Sequence, residues 1–365
     1  MKLLVDCHVF DGKYQGTRTY LQGLYQQMIK NSDIEFYFAA QNTKNLEAYF
    51  GRKDNVHYVQ LENGGSLKRL VFEFPKIIKR NAIDYAHFQY VSPLEKTCKE
   101  IVTLHDLLFL DYPEYFSLKY RVKNKFFFSR SAKRADILLT VSDYSRKAIN
   151  RHFGIPISSI YITPNAVLSA DSGDTRIGVM EKYGLDKYIL TVSRIEPRKN
   201  HLALLKAFVE LKLFEKGYKL FFVGVPDLAY EAFTRYYSGL SQRIKDCVFF
   251  RSVPYSDLIE LYRNASLFVF PSFAEGFGIP PLEAIEYGCP VLCSNATAMS
   301  EFDLPQEFLF NPGDELELQK KMLKLLEFSP DMSGIRRYLN AKFNWSRIAT
   351  DFYKVLTSNK KKASI

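Results

Sequence analysis

The chain has 365 residues, a length that predicts two domains, each large enough to bury a hydrophobic core. With 47% hydrophobic and 25% charged residues, the composition is that of a globular protein and argues against long-range disorder. The sequence lacks the run of about 18 uncharged apolar residues that a membrane span needs, and its first segment turns polar at Asp6, too early for a signal peptide. We therefore expect a cytoplasmic protein.

The formal net charge of +10 is concentrated in the first half of the chain. Residues 1–170 hold 24 Lys and Arg against 16 Asp and Glu, whereas residues 171–365 hold 26 against 24. Within the first half, residues 68–80 and 119–134 alternate cations with aromatic and aliphatic side chains. Such helices can bind anionic lipid headgroups on the inner face of the cell membrane, and nucleic acid is a competing partner. A third interpretation is a helix with a solvated charged face and a Phe-rich core face.

The first half opens with a short buried strand at 2–6, a loop that carries Gly12 and Gly16, and a helix at about 17–29. Apolar runs then alternate with helical stretches. These runs predict strands at 35–39, 56–60, 84–88, 100–104, 136–141 and 158–162. Alternating strands and helices indicate a mainly parallel sheet with helices on both faces.

Small polar residues at 168–175 form the best linker candidate, and the same architecture restarts beyond them. Strands are predicted at 188–192, 219–223, 247–250, 266–270, 290–293 and 307–310. We expect an amino-terminal domain at 1–168, a carboxyl-terminal domain at 169–345, and a last helix at 346–365 that packs back on the first domain. Two such α/β domains would face each other across a cleft, because parallel sheets bind ligands at the carboxyl ends of their strands.

Two cations lie at a junction between a predicted strand and a predicted helix. Arg194 and Lys199 stand within six positions of each other, directly before the helix that starts at His201. Because backbone N–H groups at a helix start favour an anion, two nearby cations could neutralise a diphosphate. The alternative is a solvated charged loop in which Asn200 caps the helix.

A second junction of this kind carries two carboxylates, Glu275 and Glu283, eight positions apart. Gly278 is one of two glycines between them, and glycine lets the backbone approach sugar hydroxyls or phosphate oxygens closely. A helix that begins near Pro281 would place Glu283 in its first turn, where the carboxylate could accept the two hydroxyls of a ribose. Alternatively, Glu283 complements the helix dipole and Glu275 is a surface acid.

These two segments, SRIEPRKNHLALLKAF and VFPSFAEGFGIPPLEAIEYGCPVLCS, resemble the signature of family 4 retaining glycosyltransferases. The glutamate pair with GFGIP between its members is the most specific part of the resemblance. In the first half, TLHDLLFLDYPEYFS and ILLTVSDYSRKAI are similar to the amino-terminal domain of that family. The resemblance covers nearly the whole chain and implies the α/β GT-B fold, two Rossmann-like domains that face each other across a cleft.

The resemblance also implies roles for residues of the second half. Arg194 and Lys199 would hold the diphosphate of a nucleotide-sugar donor, Glu283 would bind the nucleotide ribose, and Glu275 would lie beside the transferred sugar. Backbone groups of three residues would bind donor-sugar hydroxyls and phosphate: Phe277, Gly278 and Ile279.

In the first half, the resemblance implies that His105 faces the donor sugar across the cleft and helps to polarise the reacting centre. The loop at Gly16 and Thr17 would close near the diphosphate and the acceptor.

Breaking the bond between a sugar and a diphosphate leaves negative charge on the phosphate, which Arg194 and Lys199 would stabilise. The sequence has no Asp-x-Asp motif to hold a divalent metal, so we expect a metal-independent reaction without a resident cofactor. Retention could proceed by departure and attack on the same face of the sugar, or through a covalent intermediate on Glu275. The sequence does not choose between these routes.

The expected function is transfer of a hexose to a lipid-linked or polysaccharide acceptor in cell-surface glycan synthesis, such as the O-antigen of lipopolysaccharide. Mannose from GDP-mannose is the first choice of donor, by likeness to mannosyltransferases of similar size. Two other classes stay open: a nucleotide-sugar epimerase, which would act on the donor without an acceptor, and a basic nucleic-acid-binding protein, which would explain the charge but not the carboxylate pair.

Overall fold

The computed structural model of the chain describes residues 1–12, 15–62, 65–168, 178–224 and 230–362. The chain forms two compact units, one made of Met1–Leu168 together with Phe343–Ile365 and the other of Ser169–Lys342; we call them unit 1 and unit 2. Each unit has its own parallel sheet, so the α/β fold class with two Rossmann-like domains is confirmed. The predicted linker at 168–175 lies, except for Leu168, outside the described residues.

Unit 1 is built on a seven-stranded parallel sheet. Its strands are β1 Lys2–Asp6, β2 Glu35–Ala40, β3 Val56–Gln60, β4 Tyr85–Gln89, β5 Lys99–Leu104, β6 Ile137–Thr140 and β7 Ile160–Ile162. They lie side by side in the order β3-β2-β1-β4-β5-β6-β7. The strand order reverses between β1 and β4, and the edge at their carboxyl ends is where open α/β sheets bind ligands.

Helices cover both faces of this sheet, because the central strands are buried on both sides: Leu3, Leu4 and Val5 of β1 are fully buried. The helices are α1 Gly16–Met28, α2 Thr43–Phe50, α3 Gly65–Lys68, α4 Phe74–Asn81, α5 Leu108–Asp111, α6 Leu118–Arg134, α7 Asp143–Phe153 and the carboxyl-terminal α16 Trp345–Lys362. A π-helical segment, Arg69–Glu73, joins α3 to α4.

Helix α16 belongs to unit 1 and packs on α1, where a glycine makes room for it. A Cβ atom built on Gly23, in the middle of α1, would lie 2.0 Å from Cε2 of Trp345. The ring of Trp345 also meets the ring of Tyr20 at a centroid distance of 6.3 Å. Only glycine at position 23 lets the two helices approach this closely, so the chain end is held in a notch of α1.

Unit 2 is built on a six-stranded parallel sheet in the order β10-β9-β8-β11-β12-β13. Its strands are β8 Tyr188–Val192, β9 Lys219–Val223, β10 Val248–Arg251, β11 Leu267–Phe270, β12 Val291–Ser294 and β13 Leu309–Phe310. Its helices are α8 Val179–Tyr183, α9 His201–Glu210, α10 Glu231–Ser238, α11 Gln242–Lys245, α12 Tyr255–Asn264, α13 Ile279–Glu286, α14 Glu315–Glu327 and α15 Ser333–Lys342. The strand order reverses between β8 and β11.

Two predicted strands are shorter than the sequence pattern suggests. The run at 158–162 begins with a 3₁₀ turn, Ile157–Ser159, and only Ile160–Ile162 is extended. The run at 307–310 likewise starts in a 3₁₀ turn, Gln306–Phe308. Both turns directly follow a proline, Pro156 and Pro305, whose fixed φ starts a turn and whose missing N–H cannot join a sheet. Among the described helices, none combines the length and apolarity needed to cross a membrane.

Candidate functional site

The loops that follow β8 and β11 meet at the point where the strand order of unit 2 reverses. The loop after β8 comes very close to the end of β9, since a Cβ atom on Gly224 would lie 2.0 Å from the carbonyl oxygen of Ser193. The two loops are joined as well, because the N–H of Phe273 donates to the carbonyl oxygen of Arg198 at 2.9 Å. This placement brings the two predicted site segments together at the ligand-binding edge of one sheet.

Lys199 and Glu275 form a buried ion pair between these loops. The Nζ atom of Lys199 donates to Oε1 of Glu275 at 2.5 Å, and Nη1 of Arg198 lies 3.4 Å from Oε2 of the same carboxylate. The three side chains are all largely buried, and that of Lys199 is 14% exposed. Glu275 is therefore held by two cations at the edge of the sheet.

The charge state of Glu275 follows from these neighbours. Burial alone would raise its pKa, but the charges of Lys199 and Arg198 outweigh burial and hold the pKa of Glu275 below its ordinary value. Its backbone N–H donates to Oγ1 of Thr297 at 2.9 Å, which fixes the residue in the loop. Glu275 is consequently an ionised carboxylate at neutral pH.

Sequence reasoning missed Arg198, which ties the cluster together. Its guanidinium donates to the carbonyl oxygen of Ala274 and, at 2.7 Å, to Oε1 of Glu196. The only signal in the sequence is its position next to Lys199, since a pattern of charged letters does not tell which of two adjacent cations points inward.

Arg194 lies in a different environment from its predicted partner Lys199. Its side chain is 82% exposed, and Nη2 lies 3.4 Å from Oε2 of Glu196. The two cations thus flank the same loop, one in solvent and one in the protein interior. Asn200 does not cap α9 with its side chain, because its amide instead donates to the carbonyl oxygen of Pro312 at 2.9 Å.

The backbone between the two glutamates is shaped for close approach. Gly278 has φ of +97° directly before α13, a conformation that glycine adopts without strain. Pro280 and Pro281 occupy the next helical positions and carry no N–H. Within the described part of the chain, the N–H groups of Gly278 and Ile279 have no acceptor, so they are available to a ligand. Phe277 is buried and its ring meets that of Phe302.

The position of Glu283 differs from the prediction in one respect. Helix α13 begins at Ile279, two residues before Pro281, so Glu283 lies in the second turn rather than the first. A carboxylate beyond the first turn gains little from the helix dipole, and this alternative role is therefore weakened. Both Pro280 and Pro281 can occupy the first turn of a helix, so the sequence pattern did not determine the residue at which the helix begins.

Glu283 is buried and accepts a hydrogen bond from one tyrosine of the described residues. The hydroxyl of Tyr262 donates to Oε2 of Glu283 at 3.0 Å. Burial raises the pKa of Glu283 to about 7, although this hydrogen bond opposes the rise. The carboxylate already accepts one hydroxyl group in a dry setting, which is the chemistry that a ribose diol requires. Sequence reasoning missed Tyr262.

In unit 1, His105 directly follows β5 and is buried. Its Nε2 lies 2.7 Å from Oε1 of Gln89, and the edge of the Tyr20 ring faces it at 5.0 Å between centroids. Burial lowers the pKa of His105 to about 3, so the ring is neutral. Because Nε2–H of His105 donates a hydrogen bond to Oε1 of Gln89, the lone pair of Nδ1 can accept a hydrogen bond.

A buried polar network that sequence reasoning missed supports His105. Nε2 of Gln89 lies 3.3 Å from Nε2 of His87. This His87 nitrogen also lies 2.7 Å from Oγ1 of Thr103. Nδ1 of His87 in turn contacts the hydroxyl of Tyr25 at 2.7 Å. The amide of Gln89 therefore sits between two buried histidines and orients His105.

Gly16 is the first residue of α1, at the edge of the unit 1 sheet. Gln15 precedes it in an extended conformation, and its side chain does not cap the helix. Gly16 is exposed and Thr17 is half-buried, while Lys13 and Tyr14 just before them lie outside the described residues. No cluster of three or more His, Cys, Asp or Glu side chains that could hold a metal ion occurs in the described ranges.

Comparison with known proteins gives two family matches that divide the chain as the sheets do. Residues 14–168 match the model described as Glycosyltransferase Family 4, and residues 176–340 match the one described as Glycosyl transferases group 1. Among curated relatives, the O-antigen chain mannosyltransferase B of Escherichia coli is 31% identical over 75% of this chain and 76% of its own. The O-antigen chain mannosyltransferase RfbU of Salmonella typhimurium is 29% identical over 66% of this chain and 64% of its own.

Among solved structures, Anabaena Alr3699/HepE in complex with UDP and glucose superimposes with a TM-score of 0.74 at 18% identity, covering 98% of this chain and 100% of the other. At this identity the likeness concerns the fold alone.

Proposed function

This chain belongs to the group 1, family 4 glycosyltransferases of the GT-B fold, and from that premise we propose that it is a retaining, metal-independent mannosyltransferase that uses GDP-mannose. The acceptor that we propose is a lipid-linked or growing polysaccharide in the synthesis of a cell-surface glycan such as the O-antigen. Two O-antigen mannosyltransferases among its relatives support the choice of sugar and acceptor. We further propose that it works in the cytoplasm on the inner face of the cell membrane.

The observation that carries the proposal is the cluster at the reversal point of the unit 2 sheet. Two cations and a carboxylate, Lys199, Arg198 and Glu275, lie beside a glycine-bearing loop with open N–H groups, and Glu283 lies in the second turn of the helix that follows. A nucleotide sugar needs a cationic place for its diphosphate and polar groups for its sugar and ribose hydroxyls. The unit 2 edge supplies all of these from two loops.

In the proposed reaction, Lys199 and Arg194 stabilise the negative charge that develops on the departing diphosphate. The ammonium group of Lys199 has three N–H donors and uses one of them in the hydrogen bond to Glu275, so it keeps donors for phosphate oxygens. Arg194 reaches the diphosphate from the solvent side. The N–H groups of Gly278 and Ile279, beside Phe277, bind the remaining phosphate or sugar oxygens.

We propose that Glu275 positions Lys199 and the donor sugar rather than attacking the anomeric carbon. A carboxylate bound by two cations has its negative charge compensated and is a weaker nucleophile. The route that fits this environment is departure and attack on the same face of the sugar. In that route the leaving phosphate accepts the proton of the acceptor hydroxyl, so no enzyme base is required.

Glu283 and residues of unit 1 supply the remaining contacts to the donor and the acceptor. Ionised Glu283 accepts the ribose hydroxyls, with Tyr262 holding one of its oxygens. Neutral His105 accepts a hydrogen bond from the transferred sugar at Nδ1, and the uncapped start of α1 at Gly16 and Thr17 binds phosphate or acceptor oxygens.

A transfer assay with a panel of labelled donors tests this function. The protein is incubated with GDP-mannose, UDP-glucose or UDP-N-acetylglucosamine, with and without a lipid-linked oligosaccharide acceptor, and both the label on the acceptor and the release of nucleoside diphosphate are measured. We expect transfer from GDP-mannose only, dependent on the acceptor and unchanged by EDTA. Product from the donor alone would indicate an epimerase, and loss of turnover with EDTA would refute the metal-independent reaction.

A trapping experiment tests the route. If Glu275→Gln retains residual transfer and no glycosyl-enzyme can be trapped in either protein, the same-face route stands. A sugar adduct on Glu275 of the unmodified protein, found by mass spectrometry, would establish the covalent route instead.

A further inference from the structure

The outer side of helix α6 carries an apolar stripe that the core of unit 1 does not use. Leu118, Val122 and Phe126 follow each other at every fourth position and are 69%, 62% and 64% exposed. Residues four apart stand above one another on a helix, so the three side chains form one row, which we call the α6 stripe. A contiguous exposed apolar row of this kind is typical of a surface that meets a partner.

Helix α6 is anchored to the sheet through its other side. Phe128 and Ala132 are buried in a cluster with residues of β5 and β6, including Val102 and Leu138. The helix thus needs no help from the α6 stripe to hold its place. Replacing the stripe residues should therefore leave the fold unchanged, which makes the surface open to experiment.

The charged residues of α6 itself are all of one sign. The helix contains seven Lys and Arg and no acidic residue. Lys119, Lys123 and Lys125 flank the stripe, and none of them forms an ion pair with a residue that the structure describes. Arg134, at the far end of the helix, is instead 4.0 Å from Glu100 of the sheet. The uncompensated charge is therefore concentrated beside the apolar row.

Two further exposed apolar side chains lie on the same face of the sheet. Leu94 is 51% exposed, and its carbonyl oxygen accepts hydrogen bonds from Arg130 and Arg134 of α6. Phe72, 66% exposed, lies two residues before the start of α4, whose buried side chains pack on Phe88. Because Phe88 is in register with Val102 beneath α6, the two helices cover one face. The apolar surface thus extends beyond α6.

We propose that this face of unit 1 docks on an anionic lipid bilayer, with the α6 stripe at the boundary of the acyl chains and the flanking lysines at the headgroups. Such a partner matches both parts of the surface: acyl chains for the apolar stripe and negative headgroups for the cations. A second copy of the chain would bring seven cations against seven cations. A nucleic acid would satisfy the cations but leave Leu118 and Val122 without an apolar partner.

Vesicle sedimentation tests the docking surface without any sugar donor, so its outcome is separable from that of the transfer assay. The protein is mixed with vesicles of phosphatidylcholine alone or with phosphatidylglycerol added, and the bound fraction is measured. We expect binding only to the anionic vesicles. The triple change Leu118→Ser, Val122→Ser and Phe126→Ser, and separately the pair Lys119→Glu and Lys123→Glu, should each weaken binding about tenfold or more.

The chain offers a matched control in unit 2. Leu316 and Phe328 are 67% and 79% exposed, and the double change Leu316→Ser with Phe328→Ser removes comparable apolar surface far from α6 in sequence. This control should bind vesicles as the unmodified protein does. Equal binding by the control and both α6 variants, or no binding of the unmodified protein to anionic vesicles, would overturn the proposal.

A fluorescence experiment tests the depth of the contact. The single tryptophan of the chain, Trp345, is buried, so a second one at Phe126→Trp reports on the α6 stripe against a constant background. We expect its emission to shift to the blue when anionic vesicles are added. Vesicle binding without that shift would overturn the insertion of the stripe, and salt-sensitive binding of oligonucleotides with no vesicle binding would assign the cations to nucleic acid.

Discussion

The two glutamates of unit 2 share one loop-and-helix segment and yet have opposite electrostatic environments. Glu275 lies between two cations, which hold its pKa below the ordinary value. Among the described residues Glu283 instead accepts a hydrogen bond from a tyrosine hydroxyl, and burial raises its pKa to about 7. Both side chains are buried, so burial is not what separates them. The difference is the presence of a charged partner, and it divides the pair into a group that is ionised at neutral pH and one that titrates near neutrality.

This comparison assigns the two carboxylates to different tasks. A carboxylate that is ionised at neutral pH can keep Lys199 in place whether or not a donor is bound. A carboxylate that titrates near pH 7 can be ionised by a ligand that donates hydrogen bonds to it. Glu275 is therefore suited to holding Lys199 in position, and Glu283 is suited to binding the ribose hydroxyls.

The largest expected effect is on stability. Glu275→Gln should lower the free energy of unfolding by about 3 to 5 kcal/mol at pH 7, because it leaves the buried Lys199 without its counter-charge. Glu283→Gln should not lower it, because at pH 7 the neutral amide removes the cost of burying a carboxylate whose pKa burial has raised, and the amide oxygen can still accept from Tyr262. Urea unfolding followed by circular dichroism measures both. Equal losses would show that the partner charge is not what distinguishes the two sites.

The next effect is on catalysis and concerns the two cations beside Glu275. Lys199→Met should lower kcat about 100-fold or more, because a buried donor to the developing charge is lost. Arg194→Met should lower it about tenfold or less, since solvent screens a charge that is largely exposed. The rate of nucleoside diphosphate release measures both, with Lys206→Met on the outside of α9 as the control. A larger loss in Arg194→Met would reverse the assignment.

The smallest effect is a pH dependence that belongs to Glu283. Because its pKa of about 7 in the folded chain is above the unfolded value of 4.5, the folded state binds the proton more tightly. The free energy of unfolding should therefore fall as pH rises from about 5 to about 7, by about 1 kcal/mol per pH unit, and level off above that. Glu283→Gln removes this contribution. The difference between the unfolding curves of the two proteins isolates it, and a pH-independent difference would contradict the elevated pKa.

The sequence was enough to place the sheets and the two loops of the candidate site. Strands such as Lys2–Asp6 are continuous apolar runs, and the glutamate pair with its glycines has a specific spacing. The partners of the site residues were not predictable, because they come from elements distant in sequence. Tyr262 reaches Glu283 from the preceding helix, and Gln89 reaches His105 from the neighbouring strand. Only the packing of helix on sheet, and the register between strands, brings these groups together.

Helix α6 shows the same limit on a local scale. Its three consecutive phenylalanines point in three directions: Phe126 to solvent, Phe127 to a half-buried position and Phe128 into the core. The interpretation of this segment as a helix with a Phe-rich core face, one of the three left open by the sequence, holds for Phe128 alone, since the helix turns by about 100° per residue and only one of three neighbours can face the sheet. The exposed member is the one that continues the row from Leu118 and Val122.

The notch at Gly23 has a practical meaning for anyone who wants to study the units separately. Unit 1 is assembled from both ends of the chain, with the whole of Ser169–Lys342 inserted between its parts. A fragment that stops at Leu168 would expose the groove on α1 and the ring of Tyr20 to water, and should aggregate. A circular permutant that fuses Phe343–Ile365 to the fragment restores helix α16, which covers this groove. The fluorescence emission of Trp345 would report when the helix packs on α1.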